Sequence, residues 1–310
     1  MLAMCNFDDI IVYIYTEGIK YIAMGGKMST KGHYLKDGIV HVKTPKKITE
    51  RILTLRHDLA LRYIPVEFYV PAEKLDRILN TKGYTYAQLI EKDGNIYRFY
   101  TNMNYIFHLF PEKIEELKEI ILKFTPEKVD LKVISEREKD GLYVGLLGVI
   151  RPSDDKWRQY YWYIRAPRYI THQYVRHTTF AIIQESMRRR KLKPTDVFHT
   201  VDKEVWELAY SKYLSAYESG TALEQARASL PVGTMSTMVV CTPEFALKWW
   251  LGERLCIFAQ KEHRWLAQAT VSILLETGLY DPERVSRCRL DNLGYCPSNY
   301  PCRKELDKKK

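Results

Sequence analysis

Residues 160–193 read YYWYIRAPRYITHQYVRHTTFAIIQESMRRRKLK, and this stretch decides the fold of the second half of the chain. Its aromatic segment at 161–164 is bounded by charge on both sides and is typical of a strand. The pair Ala166-Pro167 breaks the strand. Pro167 suits the first turn of a helix, where a backbone N–H has no partner in any case. The sequence therefore predicts a strand, a break, a short helix and then a very basic exit.

The predicted helix carries polar side chains at helical spacing. Gln173 and Arg176 are three residues apart, and Arg176 follows His172 by four, so we expect these side chains on one face. Ser186 and the arginines at 188–190 follow soon after. Guanidinium groups offer a planar, permanently charged fork that matches phosphate oxygens. The stretch therefore predicts a site for a phosphate-bearing ligand.

Three blocks of the chain, taken together, resemble the signature of the flavin-dependent thymidylate synthases. The first follows the pattern A-P-x-x-x-x-x-Q-x-x-R-H with a later serine and arginine, the second follows A-R-x-x-L-P with a later threonine, and the third is an R-x-x-x-x-A-Q-x-E helix. The resemblance covers about residues 155–282 and leaves out the first half. The matching residues are Ala166, Pro167, Gln173, Arg176, His177, Ser186 and Arg188; Ala226, Arg227, Leu230, Pro231 and Thr237; and Arg254, Ala259, Gln260 and Glu262.

The resemblance implies both a fold and a reaction. The implied fold is α+β, a mixed or largely antiparallel sheet flanked by long helices, here with an extra N-terminal α/β region. The implied reaction is reductive methylation of dUMP to dTMP. Methylenetetrahydrofolate supplies the carbon, and FAD reduced by NADPH supplies the hydride. By resemblance the protein is a homotetramer with its sites between subunits.

Site residues are carried over by position. The resemblance assigns Arg176 and Arg254 to catalysis, because arginines stabilise negative charge on the pyrimidine ring as well as binding phosphate. His177, Thr178 and Trp249 occupy positions that contact FAD. No metal ligand is assigned. The residues at substrate-binding positions are Gln173, Arg176, Gln184, Glu185, Ser186, Arg188, Arg227 and Arg254.

The chain departs from the family pattern mainly at flavin positions. Thr178 stands where the family has a second signature arginine, and Ala181 replaces the first serine of the next motif. Ile183-Gln184 replaces an Asn-Glu pair, unless a shift of one residue makes Gln184-Glu185 the counterpart. The nucleotide half of the site is thus retained and the flavin half is rewritten, with Trp249 or Trp250 available to stack on a ring. The other replaced positions are Pro243, Phe245, Trp249 and Phe258.

Three hypotheses follow from this pattern. The first is a divergent thymidylate synthase whose flavin contacts are re-made. The second is a family member that binds a pyrimidine nucleotide without flavin chemistry. The third is a basic nucleic-acid-binding protein on the same scaffold. A flavin spectrum supports the first, tight dUMP binding by colourless protein the second, and salt-dependent DNA binding the third.

Composition favours a soluble protein with an anionic partner. The 310 residues carry 48 basic and 38 acidic side chains, for a net charge of +10, which steers anions towards the protein. Clustering of arginines favours a small phosphorylated ligand over nucleic acid. The longest apolar runs are too short to span a bilayer, and Asp8-Asp9 stand where a secretory signal would be basic, so we predict a cytoplasmic protein. The six cysteines are predicted to be ordinary thiols, and the crowding of Cys288, Cys296 and Cys302 leaves a metal or a disulfide open.

The rest of the chain gives a coarse organisation. We predict an N-terminal α/β region of unassigned role over 1–130, a synthase-like domain over 131–285 and a basic, Cys-containing tail over 286–310. Hydrophobic period predicts strands at 10–15 and 66–70, and helices at 44–62, 72–79, 111–124, 202–217 and 222–228. Residues 83–108 are predicted as strands around Asp93-Gly94, and 130–150 as two strands around 139–141. Gly25-Gly26 is predicted as a turn, and 245–277 as a helix that Gly252 divides and Gly278 caps.

Overall fold

The computed structural model describes residues 1–31, 35–36, 38–55, 58–81, 88–152, 157–186, 191–197 and 202–279. The chain divides into two compact units, Met1–Pro243 and Glu244–Lys310. Within the described ranges, every helix is too short or too polar to cross a membrane.

The first part of unit one alternates short strands and helices. Its elements are β1 (Leu2–Phe7), β2 (Ile10–Tyr15), α1 (Ile19–Lys31), β3 (Leu35–Lys36), β4 (Ile39–Val42), α2 (Pro45–Thr54), α3 (Asp58–Leu61), β5 (Pro65–Pro71), α4 (Leu75–Asn80), β6 (Gln88–Asp93), β7 (Ile96–Asn102), α5 (Met103–Leu109) and α6 (Ile114–Lys123).

The second part of unit one supplies all the strands of a second sheet, and unit two is helical where it is described. The elements are β8 (Val129–Lys132), β9 (Ser135–Lys139), β10 (Leu142–Ile150), β11 (Gln159–Pro167), α7 (Arg168–Tyr174), β12 (Ala181–Gln184), α8 (Lys203–Glu218), α9 (Leu223–Ala226) and β13 (Met235–Pro243), followed in unit two by α10 (Glu244–Arg254) and α11 (Lys261–Glu276).

The strands form three sheets in which the described pairings are antiparallel. The orders are β1-β2-β5-β7-β6, then β12-β13-β11-β10-β9, and a small β3-β4-β8 sheet. The predicted class of mixed helix and antiparallel sheet is confirmed. That the N-terminal region is an addition to the family's fold stays a prediction.

One buried apolar cluster runs from Cys5 in β1 to Cys241 in β13. Tyr21 of α1 stacks on Tyr161 of β11, with ring centroids 3.7 Å apart. The N-terminal sheet and the second sheet of unit one therefore share a core that continues across residue 130. The predicted domain boundaries at 130 and 285 stay predictions.

Segments with a clean hydrophobic period fold as predicted. The strands β2 and β5, the helices α6, α8 and α9, and the hairpin of β9 and β10 all lie where the pattern places them. Asp140 and Gly141 have φ of +54° and +81°, the left-handed geometry that a tight hairpin requires. Gly278 follows the last turn of α11 with φ +63°, as expected for a helix C-terminus.

Four of the predicted turns, strands and helices are wrong. Gly25-Gly26 lies inside α1 rather than in a turn. Residues 103–109 form the buried helix α5 rather than a strand, and Asn102 caps it by accepting from the Tyr105 N–H at 3.3 Å. The helix predicted over 44–62 ends at Thr54, and Asp58–Leu61 forms a separate α3. The break in the last helical region lies between Arg254 and Lys261, not at Gly252.

Candidate functional site

The candidate site begins where β11 passes into α7. Pro167 is the last residue of the strand and caps the helix with extended backbone (φ −63°, ψ 153°), so the prediction that it occupies the first helical turn is wrong by one residue. The Arg168 N–H donates to the Thr234 carbonyl at 3.0 Å, which fixes the start of α7 beside β13. The end of β11 and this hydrogen bond therefore fix the position of the Arg168 backbone.

Arg176 lies beyond the end of α7. The helix stops at Tyr174 and Val175 caps it, so the prediction that Gln173 and Arg176 share one helix face is wrong. The Gln173 amide donates to the Tyr169 carbonyl one turn back, at 3.3 Å. Arg176 is exposed in the turn that follows the helix, and its charge still lies close enough to His172 to lower the pKa of that imidazole.

Four basic side chains from two segments form what we call the basic cluster: Arg168, His172, Arg176 and Arg227. Arg168 Nη2 is 3.3 Å from His172 Nε2. Burial, and then the neighbouring Arg227, lower the pKa of Arg168. His172 is exposed in part, and its partial burial, followed by the charges of Arg168 and Arg176, lowers its pKa. Positive charges that destabilise one another in the free protein are stabilised by an anion bound among them.

Arg227 reaches the cluster from another part of the chain. It begins a short 3₁₀ turn directly after α9, and its Nε donates to the Glu224 carbonyl at 3.2 Å. That bond engages one edge of the guanidinium group. Arg227 is thereby held in place near Arg168.

The residues at the end of β12 and directly after it bond within the protein. The Gln184 amide donates to Thr171 Oγ1 at 2.8 Å and to Ser236 Oγ at 3.0 Å, which joins β12 to α7 and β13. Glu185 is only 5% exposed, and its carboxylate accepts from the Thr237 N–H at 3.1 Å. Ser186 is half-buried beside them. A direct contact of these three residues with substrate stays a prediction.

The predicted flavin positions in unit one lie in the turn between α7 and β12. The His177 ring stacks on Phe180 with centroids 5.3 Å apart. The Thr178 carbonyl accepts a hydrogen bond from Arg62. Cofactor contacts of His177 and Thr178 stay predictions.

The two candidate stacking residues in unit two, Trp249 and Trp250, differ in exposure. Trp250 is buried, and its indole N–H donates to His263 Nε2 at 3.2 Å. Trp249 is 49% exposed, so it can stack on a ligand where Trp250 cannot. Arg254 lies 3.8 Å from Glu253 in a half-buried ion pair. Arg188 and the three C-terminal cysteines fall outside the described residues.

Arg168 and His172 are the site residues that sequence reasoning underused. They precede Arg176 at steps of four, a spacing that places cations near one another at the end of a short helix. Arg165 was also missed, but its role is structural, because its Nη2 lies 3.7 Å from Oδ1 of the buried Asp196. The four-residue steps could have predicted that Arg168, His172 and Arg176 lie close together. No feature of the sequence predicts that Arg227 lies near them.

Fold and site together define an antiparallel α+β protein that gathers cations from α7, from the turn after it and from the segment after α9. Residues 132–277 match the family described as thymidylate synthase complementing protein. A flavin-dependent thymidylate synthase of Thermococcus onnurineus (strain NA1) is 32% identical over 150 residues, which cover 42% of this chain and 60% of that relative. The chain thus spans less than two thirds of that relative's length.

Two solved structures of a UMP/dUMP methylase, PolB from Streptomyces cacaoi, are also similar. The form bound with 5-Br UMP matches with a TM-score of 0.37 and 17% identity over 44% of this chain and 90% of that chain. The form bound with 5-Br dUMP matches with a TM-score of 0.35 and 21% identity over 40% of this chain and 69% of that chain.

Proposed function

We propose that this protein is a methyltransferase that binds dUMP and converts it to dTMP. The carbon comes from methylenetetrahydrofolate, and the hydride from FAD that NADPH has reduced. The observation that carries the proposal is the basic cluster, which lies within the segment that matches the family model. A homotetramer belongs to the same proposal by resemblance, and a cytoplasmic location stays part of it as the expectation drawn from the sequence.

The basic cluster suits the phosphate of a mononucleotide. A phosphate near −2 accepts several charge-assisted hydrogen bonds, and Arg168, Arg176 and Arg227 supply planar forks for them. Binding stabilises the ligand and offsets the repulsion that lowers the pKa of Arg168 and of His172. Gln173 and Ser186 supply neutral donors, and Arg188 and Arg254 stay proposed ligands by family resemblance.

The described residues at flavin positions fit the face of a planar ring. Trp249, Phe245 and Phe258 are each 40% exposed or more, and their rings offer stacking surface. They supply no charge for a diphosphate. When bound, FAD supplies the hydride that completes the methyl group. The part of this chain is to present an aromatic face and to hold the nucleotide.

Freshly purified protein is expected to show an oxidised-flavin absorption band, or to gain one on adding FAD and removing the excess. Trp249→Ala is expected to weaken FAD binding about fivefold, the scale of one lost aromatic stack. Leu275→Ala, an exposed apolar residue of the same unit, serves as the control. Protein that stays colourless and binds dUMP would instead support the family member without flavin chemistry.

Binding of dUMP near pH 6.5 is expected to draw a proton onto His172. In the free protein, burial and the charges of Arg168 and Arg176 lower the pKa of His172, so the neutral form is favoured. A bound phosphate offsets those charges and raises the pKa of His172. Calorimetry in buffers of different ionisation enthalpy should show more proton uptake by the wild type than by His172→Asn. Equal uptake by both proteins would remove His172 from the site.

A further inference from the structure

The turn between α3 and β5 carries a fully buried tyrosine that touches the second sheet. The Tyr63 hydroxyl accepts from the Ile183 N–H at 2.9 Å and donates to the Val239 carbonyl at 2.6 Å. Burial raises the pKa of Tyr63 well above its usual value, so the hydroxyl keeps the proton that it donates. One side chain from the N-terminal region thus bridges β12 and β13.

The neighbouring residue reaches the turn that precedes β12. Arg62 Nη2 donates to the Thr178 carbonyl. This turn connects α7 to β12 and carries Arg176, His177 and Thr178. Arg62 and Tyr63 therefore hold both ends of the segment 176–184, whose only described strand partner is β13.

The anchor is itself fixed by close packing. The Tyr161 hydroxyl donates to the Tyr63 carbonyl at 2.6 Å. A Cβ on Gly18 would lie 2.4 Å from that same carbonyl oxygen, so only glycine allows this approach. A Cβ on Gly25 would lie 2.4 Å from Ile183 Cδ1, so α1 packs directly on β12. Several N-terminal contacts thus converge on one short strand.

We infer that Arg62 and Tyr63 are positioning residues for the nucleotide site, and that this is one role of the N-terminal region. The inference rests on the proposed function. A displacement of β12 is passed to α7, because the Gln184 amide bonds to Thr171. Thr171 in turn donates to the Arg168 carbonyl at 3.2 Å, at the base of the basic cluster.

The test compares two Tyr→Phe variants that lose the same kind of bond. Tyr63→Phe removes the bridge, while Tyr105→Phe removes a buried hydroxyl bond to the Ile78 carbonyl at 2.9 Å, also in the N-terminal region. Both variants are expected to unfold at a lower temperature. Only Tyr63→Phe is expected to weaken dUMP binding, by about fivefold, because an unmade buried hydrogen bond opens the strand it held. If the two variants bind dUMP with equal affinity at a temperature where both are fully folded, the inference is overturned.

Amide hydrogen exchange read by mass spectrometry separates this inference from the proposed function. Exchange over residues 181–186 is expected to rise about tenfold in Tyr63→Phe and to stay unchanged in Tyr105→Phe. If the wild type binds no dUMP, the proposed function fails, and this exchange difference still shows whether Tyr63 positions the segment. Unchanged exchange in Tyr63→Phe would overturn the positioning role whatever the ligand.

Arg62 provides a second variant should Tyr63→Phe fold poorly. Arg62→Gln is expected to raise exchange in a peptide that spans Thr178 and to weaken dUMP binding about threefold, since a bond from a charged donor to the turn is lost. Arg62→Lys, which keeps the charge and a donor, is expected to restore most of the affinity. The same loss in both Arg62 variants would contradict a positioning role through this bond.

Discussion

Arg227→Ala and Arg176→Ala are each expected to weaken dUMP binding by about 2 kcal/mol, a loss of ~30-fold, as measured by isothermal titration calorimetry at fixed salt. Each variant removes a cation from the basic cluster, and a charged hydrogen bond to phosphate is worth more than a neutral one. Arg254→Ala is expected to cost more than about 1.5 kcal/mol, on family resemblance alone.

A matched control separates local binding from long-range steering. Arg51→Ala removes the same unit of charge from an exposed position on α2, and we expect it to change affinity by less than about twofold. Thermal unfolding without dUMP adds a second reading. Relief of like-charge repulsion should leave Arg227→Ala as stable as the wild type or more so, even though it binds dUMP less well. Unchanged affinity in both Arg176→Ala and Arg227→Ala would refute the site.

The second large effect concerns stability of the N-terminal sheet. Glu67 is only 3% exposed, and its Oε2 accepts from Arg98 Nη2 at 3.0 Å and from Arg98 Nε at 3.2 Å. Tyr15 donates to the other carboxylate oxygen at 2.9 Å. Arg98→Ala leaves this carboxylate buried without its cation, and we expect a loss of about 3–5 kcal/mol in the free energy of unfolding, measured with denaturant.

Two comparisons show whether burial is the cause. Lys203→Ala breaks an exposed ion pair with Glu207 on α8, and we expect it to cost less than about 0.5 kcal/mol. The double variant Arg98→Met with Glu67→Leu replaces both charges with apolar groups and should recover more than half of the loss. A loss from Arg98→Ala as small as that from Lys203→Ala would show that the buried pair does not stabilise the sheet.

The elements that could be predicted from the sequence were those with a regular hydrophobic period and those joined by turns that glycine and aspartate favour. The glycines of α1 were wrongly predicted as a turn because close packing, not turn geometry, explains them. A Cβ on Gly26 would lie 2.7 Å from Ile48 Cγ2, and a contact between residues so far apart in the chain cannot be predicted from the local sequence. The aromatic run of α5 resembles a strand, yet its burial on nearly all sides and its cap at Asn102 make it a helix. Tertiary contacts overrode local preference in both places.

The candidate site was predictable one segment at a time. The strand before α7 and the cations near it follow from residues 160–193, and four-residue steps connect Arg168, His172 and Arg176. The approach of Arg227 to Arg168 depends on the fold that brings the segment after α9 beside α7. Tyr63 and Ile183, which its hydroxyl contacts, are 120 residues apart in the sequence, so no local pattern predicts this bridge. Family resemblance supplied the reaction, which geometry alone does not.

The most direct test is a calorimetric titration of the wild-type protein with dUMP and, separately, with deoxyuridine, which lacks the phosphate. A basic cluster that holds the phosphate predicts that dUMP binds at least ~100-fold more tightly, a difference of about 2.8 kcal/mol. It also predicts that Arg227→Ala narrows this ratio. Equal affinity for the two compounds, or no binding of dUMP, would contradict the account.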